Sequence, residues 1–194
     1  MARRYIDRVM PYCDVEEFHS LLVDAEPHMV YEAIGSLDLA RSPSSKYLFK
    51  LRGLAGLMRR RGKKGSITLD DMVRAGFVPL SEEDGQEIVL GLIGKFWRPR
   101  GVPIDFAPEE FESFSTPGYA KAVLNFVVEP AGRGSSMIST ETRVVGTSPG
   151  AKRLLHAYWL AVRPFSSLIR KEALRIIRED AEKAFAPWRH TEDV

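Results

Sequence analysis

Apolar residues recur along this chain with two periods, and the switches between them mark its elements. From Glu16 to Ala25, Phe18, Ser20 and Leu22 alternate with His19, Leu21 and Val23, which predicts a strand with a strongly apolar face. His19 is then either a strand or core histidine or a ligand contact, and the first reading is the simpler. Pro27 opens a short helix in which Val30, Ala33, Ile34 and Leu37 follow i, i+3, i+4, i+7, ending near Gly35 or Ser36. Ser42 and Pro43 supply an N-cap and first helical residue for a second amphipathic helix, through Tyr47, Leu48, Leu51, Leu54, Ala55 and Met58 to about Arg60. Thr68 with Asp71 resembles a capping box with Asp in place of Glu, and starts a short helix to Ala75.

After Gly76 the period becomes two. Phe77–Ser81 predicts a short strand, Glu83-Asp84-Gly85 a turn, and Gln86–Trp97 the second arm of a hairpin, with Gly91 and Gly94 as places to bulge or curve. The connection 98–117 holds Pro99, Pro103, Pro108 and Pro117 among Phe106, Phe111 and Phe114, and a short strand is expected at Phe111–Ser115. Tyr119–Glu129 and Ser135–Thr147 then alternate on either side of a turn at 130–134. Residues 1–14, interrupted by Pro11, are expected to form an irregular lead-in.

The chain ends on the helical period. Ser148 and Pro149 give a start signal, and Leu155, Tyr158, Val162, Phe165, Ile169, Ile176 and Phe185 form a stripe. Lys152, Arg163, Arg170, Lys171, Arg175, Arg178 and Glu182 are assigned to water. About 38 residues make a rod of roughly 57 Å, against a diameter of about 40 Å for a compact chain of this size. Pro164 predicts two segments, about 149–162 and 164–186, with one continuous helix kinked near Pro164 as the alternative.

Charge and composition narrow the uses of such a chain. With 28 Lys and Arg against 26 Asp and Glu the formal charge is +2, too weak a field to grip a phosphate backbone, so nucleic acid is not an expected partner. The basic run at 59–64 (Arg59, Arg60, Arg61, Lys63, Lys64) has no interleaved aromatics to stack on bases; it is a solvated loop or a surface for an acidic protein. Cys13 is the single cysteine, which excludes an internal disulfide and suits a reducing cytoplasm. The apolar runs fall short of a membrane span and the N-terminus has no signal-peptide hydrophobic region, so a cytoplasmic protein without integral membrane association is expected. The 194 residues suit one domain, 1–194, burying about 70% of its unfolded surface.

The order strand, helix, helix, antiparallel strands, long terminal helix resembles the helix-grip fold of the START-like superfamily, or SRPBCC. Its members include polyketide cyclases, lipid-transfer domains and pollen-allergen-like binding proteins. The resemblance covers about residues 15–186. It is carried by the strand-turn-strand Tyr119–Thr147, by Thr140-Glu141-Thr142-Arg143-Val144, and by the capped helix with Tyr158, Trp159 and Arg163. It places the chain among small bacterial members of that superfamily. The fold it implies is α+β: a curved antiparallel sheet wrapped around a long C-terminal helix. Pro164, the long 98–117 connection and the missing Gly-rich loop of the plant allergen branch depart from that pattern.

Such a fold implies a cavity between sheet and helix that holds a small hydrophobic or aromatic ligand, lipid- or polyketide-like. Phe96, Trp97, Tyr119, Phe126, Tyr158 and Trp159 are its candidate walls. Glu141 and Arg143 share one side of a strand. Facing inward they would pair and bind a polar ligand head; facing outward they would be a surface ion pair, and Ile138 and Val144 would face the core. A carrier or sensor is the leading expectation. An aromatase, cyclase or hydrolase using Glu141, Arg143, His156 or Tyr158 is the second, and an interaction module using the 59–64 run the third. Nucleophile-elbow, phosphate-loop and metal-spacing motifs are missing from the sequence, so no metal and no cofactor is expected. Ligand identity and oligomeric state are not written in these patterns.

Overall fold

A computed structural model describes residues 4–42, 67–83, 86–98 and 103–189. The expected helix at 43–60, the basic run at 59–64 and the 84–85 turn lie outside the described residues. In chain order the elements are α1 (Tyr5–Val9), β1 (Val15–Val23), α2 (Pro27–Gly35), a 3-10 turn (Leu39–Arg41) and α3 (Leu69–Arg74). There follow β2 (Val78–Glu83), β3 (Glu87–Gly94), α4 (Glu110–Ser113), β4 (Ala120–Gly132), β5 (Ser135–Gly146) and α5 (Pro149–Arg189). The strands form one antiparallel sheet in the order β1-β5-β4-β3-β2, so the first strand closes against the last. A long C-terminal helix over a curved antiparallel sheet is the helix-grip arrangement.

Local signals account for many boundaries. Pro27 stands at the first position of α2, and α3 carries the reciprocal Thr68–Asp71 capping box. Ser148 Oγ accepts from the Ala151 N–H at the start of α5. Gly146 ends β5 where a Cβ would lie 2.8 Å from the Lys152 nitrogen, so the strand turns into the helix only because that atom is missing. Helix α5 runs back along β5 until the Phe185 ring sits over Gly134, whose φ of +67° makes the β4–β5 turn.

Three segments differ from expectation. The lead-in contains α1, because Ile6 and Val9 are buried against the sheet and Pro11 falls beyond the helix rather than inside it. The segment expected as a strand at Phe111–Ser115 is instead helix α4. Glu110 Oε2 there accepts from the Ala107 N–H, and the wholly buried Phe111 ring anchors the turn. The two segments expected on either side of Pro164 are instead one continuous helix, α5. Both Pro164 and Leu160, whose carbonyl loses its donor, lie on the exposed side, and Leu160 is 80% exposed. Water can take that carbonyl, so the helix need not break.

The sheet has two covered faces. The face toward α5, called inward below, packs on α5 along β1 and β5 and on α2 along β4 and β5. The outer face carries α1, the 103–114 connection and their apolar cluster of Ile6, Val9, Met10, Val89, Ile93, Phe111 and Val123.

Candidate functional site

Register lays the inward face out in cross-strand rows. One row is Val15–Val144–Ala122–Leu92, the next Glu17–Thr142–Leu124–Leu90, and the third His19–Thr140–Phe126–Ile88. Rows stand about 6.7 Å apart along the strands, and strands about 4.8 Å apart. In the second and third rows the floor is polar on β1 and β5 and apolar on β4 and β3, while the first row is apolar throughout.

Its apolar packing falls into separate clusters. Val15, Ala120, Val144 and Leu155 are joined by Phe96, Trp97, Ala122 and Trp159 at one end. At the other, Phe126, Val128, Ile138, Leu174 and Ile177 join α2. Between them, no residue of α5 from His156 to Phe165 is buried, and Tyr158, Trp159, Val162 and Phe165 are half-buried. Opposite, Ile88, Leu92, Ala122 and Leu124 are half-buried as well. The middle of the helix and the middle of the sheet are thus not in full contact.

Just past this stretch a polar seam joins α5 to β1 and β5. Arg170 Nη1 donates to Ser166 Oγ at 2.5 Å and to the Ser166 carbonyl at 3.2 Å, and stands 3.5 Å from Glu17 Oε2. Arg170 Nη2 donates to Thr142 Oγ1. Glu17 Oε1 is 3.0 Å from His19 Nε2, and Ser167 Oγ is 3.2 Å from the same nitrogen. Arg170, assigned to water from the helical period, is therefore turned into the protein. A Ser–His–Glu relay is not assembled, since a relay needs serine and carboxylate on opposite ring nitrogens.

The expected site residues divide between the faces. Phe96, Trp97 and Trp159 come together in one inward cluster; Phe126 is buried in the other, and Tyr158 is half-buried on α5. Tyr119 lies on the outer face, edge-on to Phe114 with ring centroids 5.7 Å apart and with Lys95 Nζ 4.3 Å from its ring. His156 is exposed.

Glu141 and Arg143 also point outward, as Ile138 and Val144 require, but they are no surface pair: Glu141 is 3% exposed. Arg143 Nε donates to Glu141 Oε1 at 2.5 Å, Nη2 to Asp7 Oδ1 at 2.7 Å and Nη1 to the Met10 carbonyl at 3.0 Å. Arg4 Nη1 lies 3.5 Å from Glu141 Oε2. Burial opposes the Arg143 charge, yet hydrogen bonds to Asp7 and Glu141 hold the guanidinium above its ordinary pKa. Asn125 continues the network, accepting from the Glu141 N–H and donating to Glu87 Oε1, each at 2.8 Å, while the Tyr5 N–H donates to Glu87 Oε2 at 2.7 Å.

A cleft of about 310 Å³ opens on this outer face between residues 9–12, 112–115 and Lys121. It is remote from the inward seam. Burial pushes the Lys121 pKa down, partly opposed by Glu112, and its ammonium already donates to the Phe111 and Glu112 carbonyls at 3.1 and 2.9 Å.

Among the described residues no group of three or more His, Cys, Asp or Glu is placed to hold a metal ion, and no helix is long and apolar enough to cross a membrane.

No protein-family model and no curated protein matches this chain. Solved structures do. TTHA0849 from Thermus thermophilus is 13% identical, with 88% of this chain and 99% of that one covered and a TM-score of 0.33. The Zhui aromatase/cyclase from Streptomyces sp. R1128 is 13% identical over 87% and 94%, with a TM-score of 0.32. The di-domain aromatase/cyclase BexL from the BE-7585A biosynthetic pathway is 20% identical over 87% and 46%, with a TM-score of 0.30. These are loose likenesses of fold, and the activities named belong to those proteins.

Proposed function

We propose that this chain binds one small apolar or aromatic molecule between the inward face of the sheet and α5, as a carrier or sensor. The observation that supports it is the incomplete burial there: Leu92, Ala122 and Leu124, half-buried, share the sheet face that packs on α5, whose 156–165 stretch holds no buried residue, and Phe96, Trp97 and Trp159 are half-buried as well. Apolar side chains left part-wet between two packed clusters gain free energy when an apolar guest covers them, at about 25 cal/mol per Å². Aromatic neighbours add area and favoured ring geometries.

Titration with the neutral probe N-phenyl-1-naphthylamine tests this. One saturable site with enhanced probe fluorescence is expected, and Leu124→Trp, which fills the floor, should remove it while the folded circular dichroism spectrum is kept. Leu160→Ser, on the exposed side of α5, should leave binding unchanged. Failure of the probe to bind, or binding that survives Leu124→Trp and disappears with Leu160→Ser, overturns the reading.

A further inference from the structure

We propose that the first half of α5, residues 149–171, docks on an anionic lipid surface through its solvent side. That side faces away from the sheet and is separate from the guest site proposed above. The two halves of the helix differ in charge. Residues 149–171 carry five Lys and Arg and no Asp or Glu, whereas residues 172–189 carry four of each. Exposed apolar side chains divide the same way. Leu154, Leu160 and Leu168 are 50%, 80% and 53% exposed, and no other large apolar residue of α5 is exposed among the described residues.

Helical spacing gathers these residues. Leu154, Ala157, Ala161, Pro164 and Leu168 follow i, i+3, i+7, i+10, i+14, and all five are exposed, so they form a stripe about 21 Å long. Arg153, Leu160 and Lys171 line up beside it, within about 20° round the helix, and Arg163 lies a step further round. Two of the five cations are committed elsewhere, Lys152 to Asp14 at 3.0 Å and Arg170 to the inward seam. Arg153, Arg163 and Lys171 are exposed and make no ion pair among the described residues.

A bilayer surface with anionic headgroups suits both parts of this pattern. Leucines enter the boundary with the acyl chains while Arg and Lys beside them reach headgroup phosphates. Other occupants use only one part. A second copy of the chain on this face would bring like charges together, and a nucleic acid would engage the cations but leave three leucines wet. A protein partner is held by side chains seated in pockets, whereas here the leucines are spaced by alanines and a proline on a convex helix. A fluid surface needs no pocket.

Co-sedimentation of the full chain with vesicles of phosphatidylcholine, with or without phosphatidylglycerol, tests this. Binding is expected only where phosphatidylglycerol is present, and it should fall as salt is raised. Arg153→Gln, Arg163→Gln and Lys171→Gln together should weaken it about a hundredfold, at about fivefold for each cation. Leu160→Ser with Leu168→Ser should weaken it about tenfold or more, with the circular dichroism spectrum unchanged because both positions are exposed. Absence of binding to phosphatidylglycerol vesicles, or equal binding to both kinds of vesicle, overturns the proposal. Binding kept by the triple glutamine variant, as it would be were the 59–64 run the contact, overturns it too, and so does binding indifferent to the two serines.

Discussion

Two polar clusters sit on opposite faces of the same strand, one residue apart, and they are built on different terms. On the outer face Glu141 and Arg143 belong to a closed network. Both oxygens of Glu87 and of Glu141 face donors, Asn125 uses its oxygen and its nitrogen, and Arg143 spends its guanidinium on Glu141, Asp7 and Met10. On the inward face Thr142 belongs to a seam whose Glu17–Arg170 contact is long, at 3.5 Å, and whose histidine makes its contacts among the described residues through Nε2. Saturated, buried charge ties an N-terminal helix to a sheet, since losing one partner strands the other in a poorly solvated place. A seam of longer contacts beside apolar surface is where the proposed guest would lie.

This contrast can be broken at its strongest point first. Arg143→Met should cost about 3–5 kcal/mol of unfolding free energy, read from urea midpoints, and adding Glu141→Gln should recover part of it because the stranded carboxylate is removed. Arg170→Met should cost less, about 1–3 kcal/mol, since hydroxyls and a long ion pair are lost rather than short buried ones. Equal losses at the two sites would erase the distinction.

The smallest effect uses Cys13, which stands beside the outer network. Burial raises its thiol pKa, Glu16 adds to the rise, Arg143 opposes it, and Glu141 adds again. A raised pKa means less thiolate at a given pH. Alkylation by iodoacetamide at pH 8 should therefore run several-fold slower than for free cysteine, at about tenfold per unit of pKa, and the difference should narrow as pH rises through the thiol range. Glu16→Gln should speed the reaction, because a group that raises the pKa has gone.

What could be read in advance follows range of interaction. The cap and proline signals that open α2, α3 and α5 act within a turn, and all three helices begin where those signals stand. Alternation likewise placed Ile138 and Val144 opposite Glu141 and Arg143. It did not foresee that residues 4–10 would cover the outer pair, because Arg4 and Asp7 lie more than 130 positions away in the chain. Arg170 illustrates the same boundary. Helical spacing near a charged face sends an arginine to water, and only the pairing of β1 with β5, which sets Glu17 beside Thr142, supplies the carboxylate and hydroxyl that turn it inward.

By itself, then, the order of residues determined the strands, the capped starts of α2, α3 and α5 and the amphipathic character of the closing helix, though not α1 or α4, since periodicity and capping are written within a few neighbouring positions. The tertiary structure alone decided which polar residues meet. Glu17, His19, Thr142 and Arg170 come from two strands and a helix, and burial and hydrogen bonding between such distant groups depend on strand register and helix placement, which no local stretch encodes.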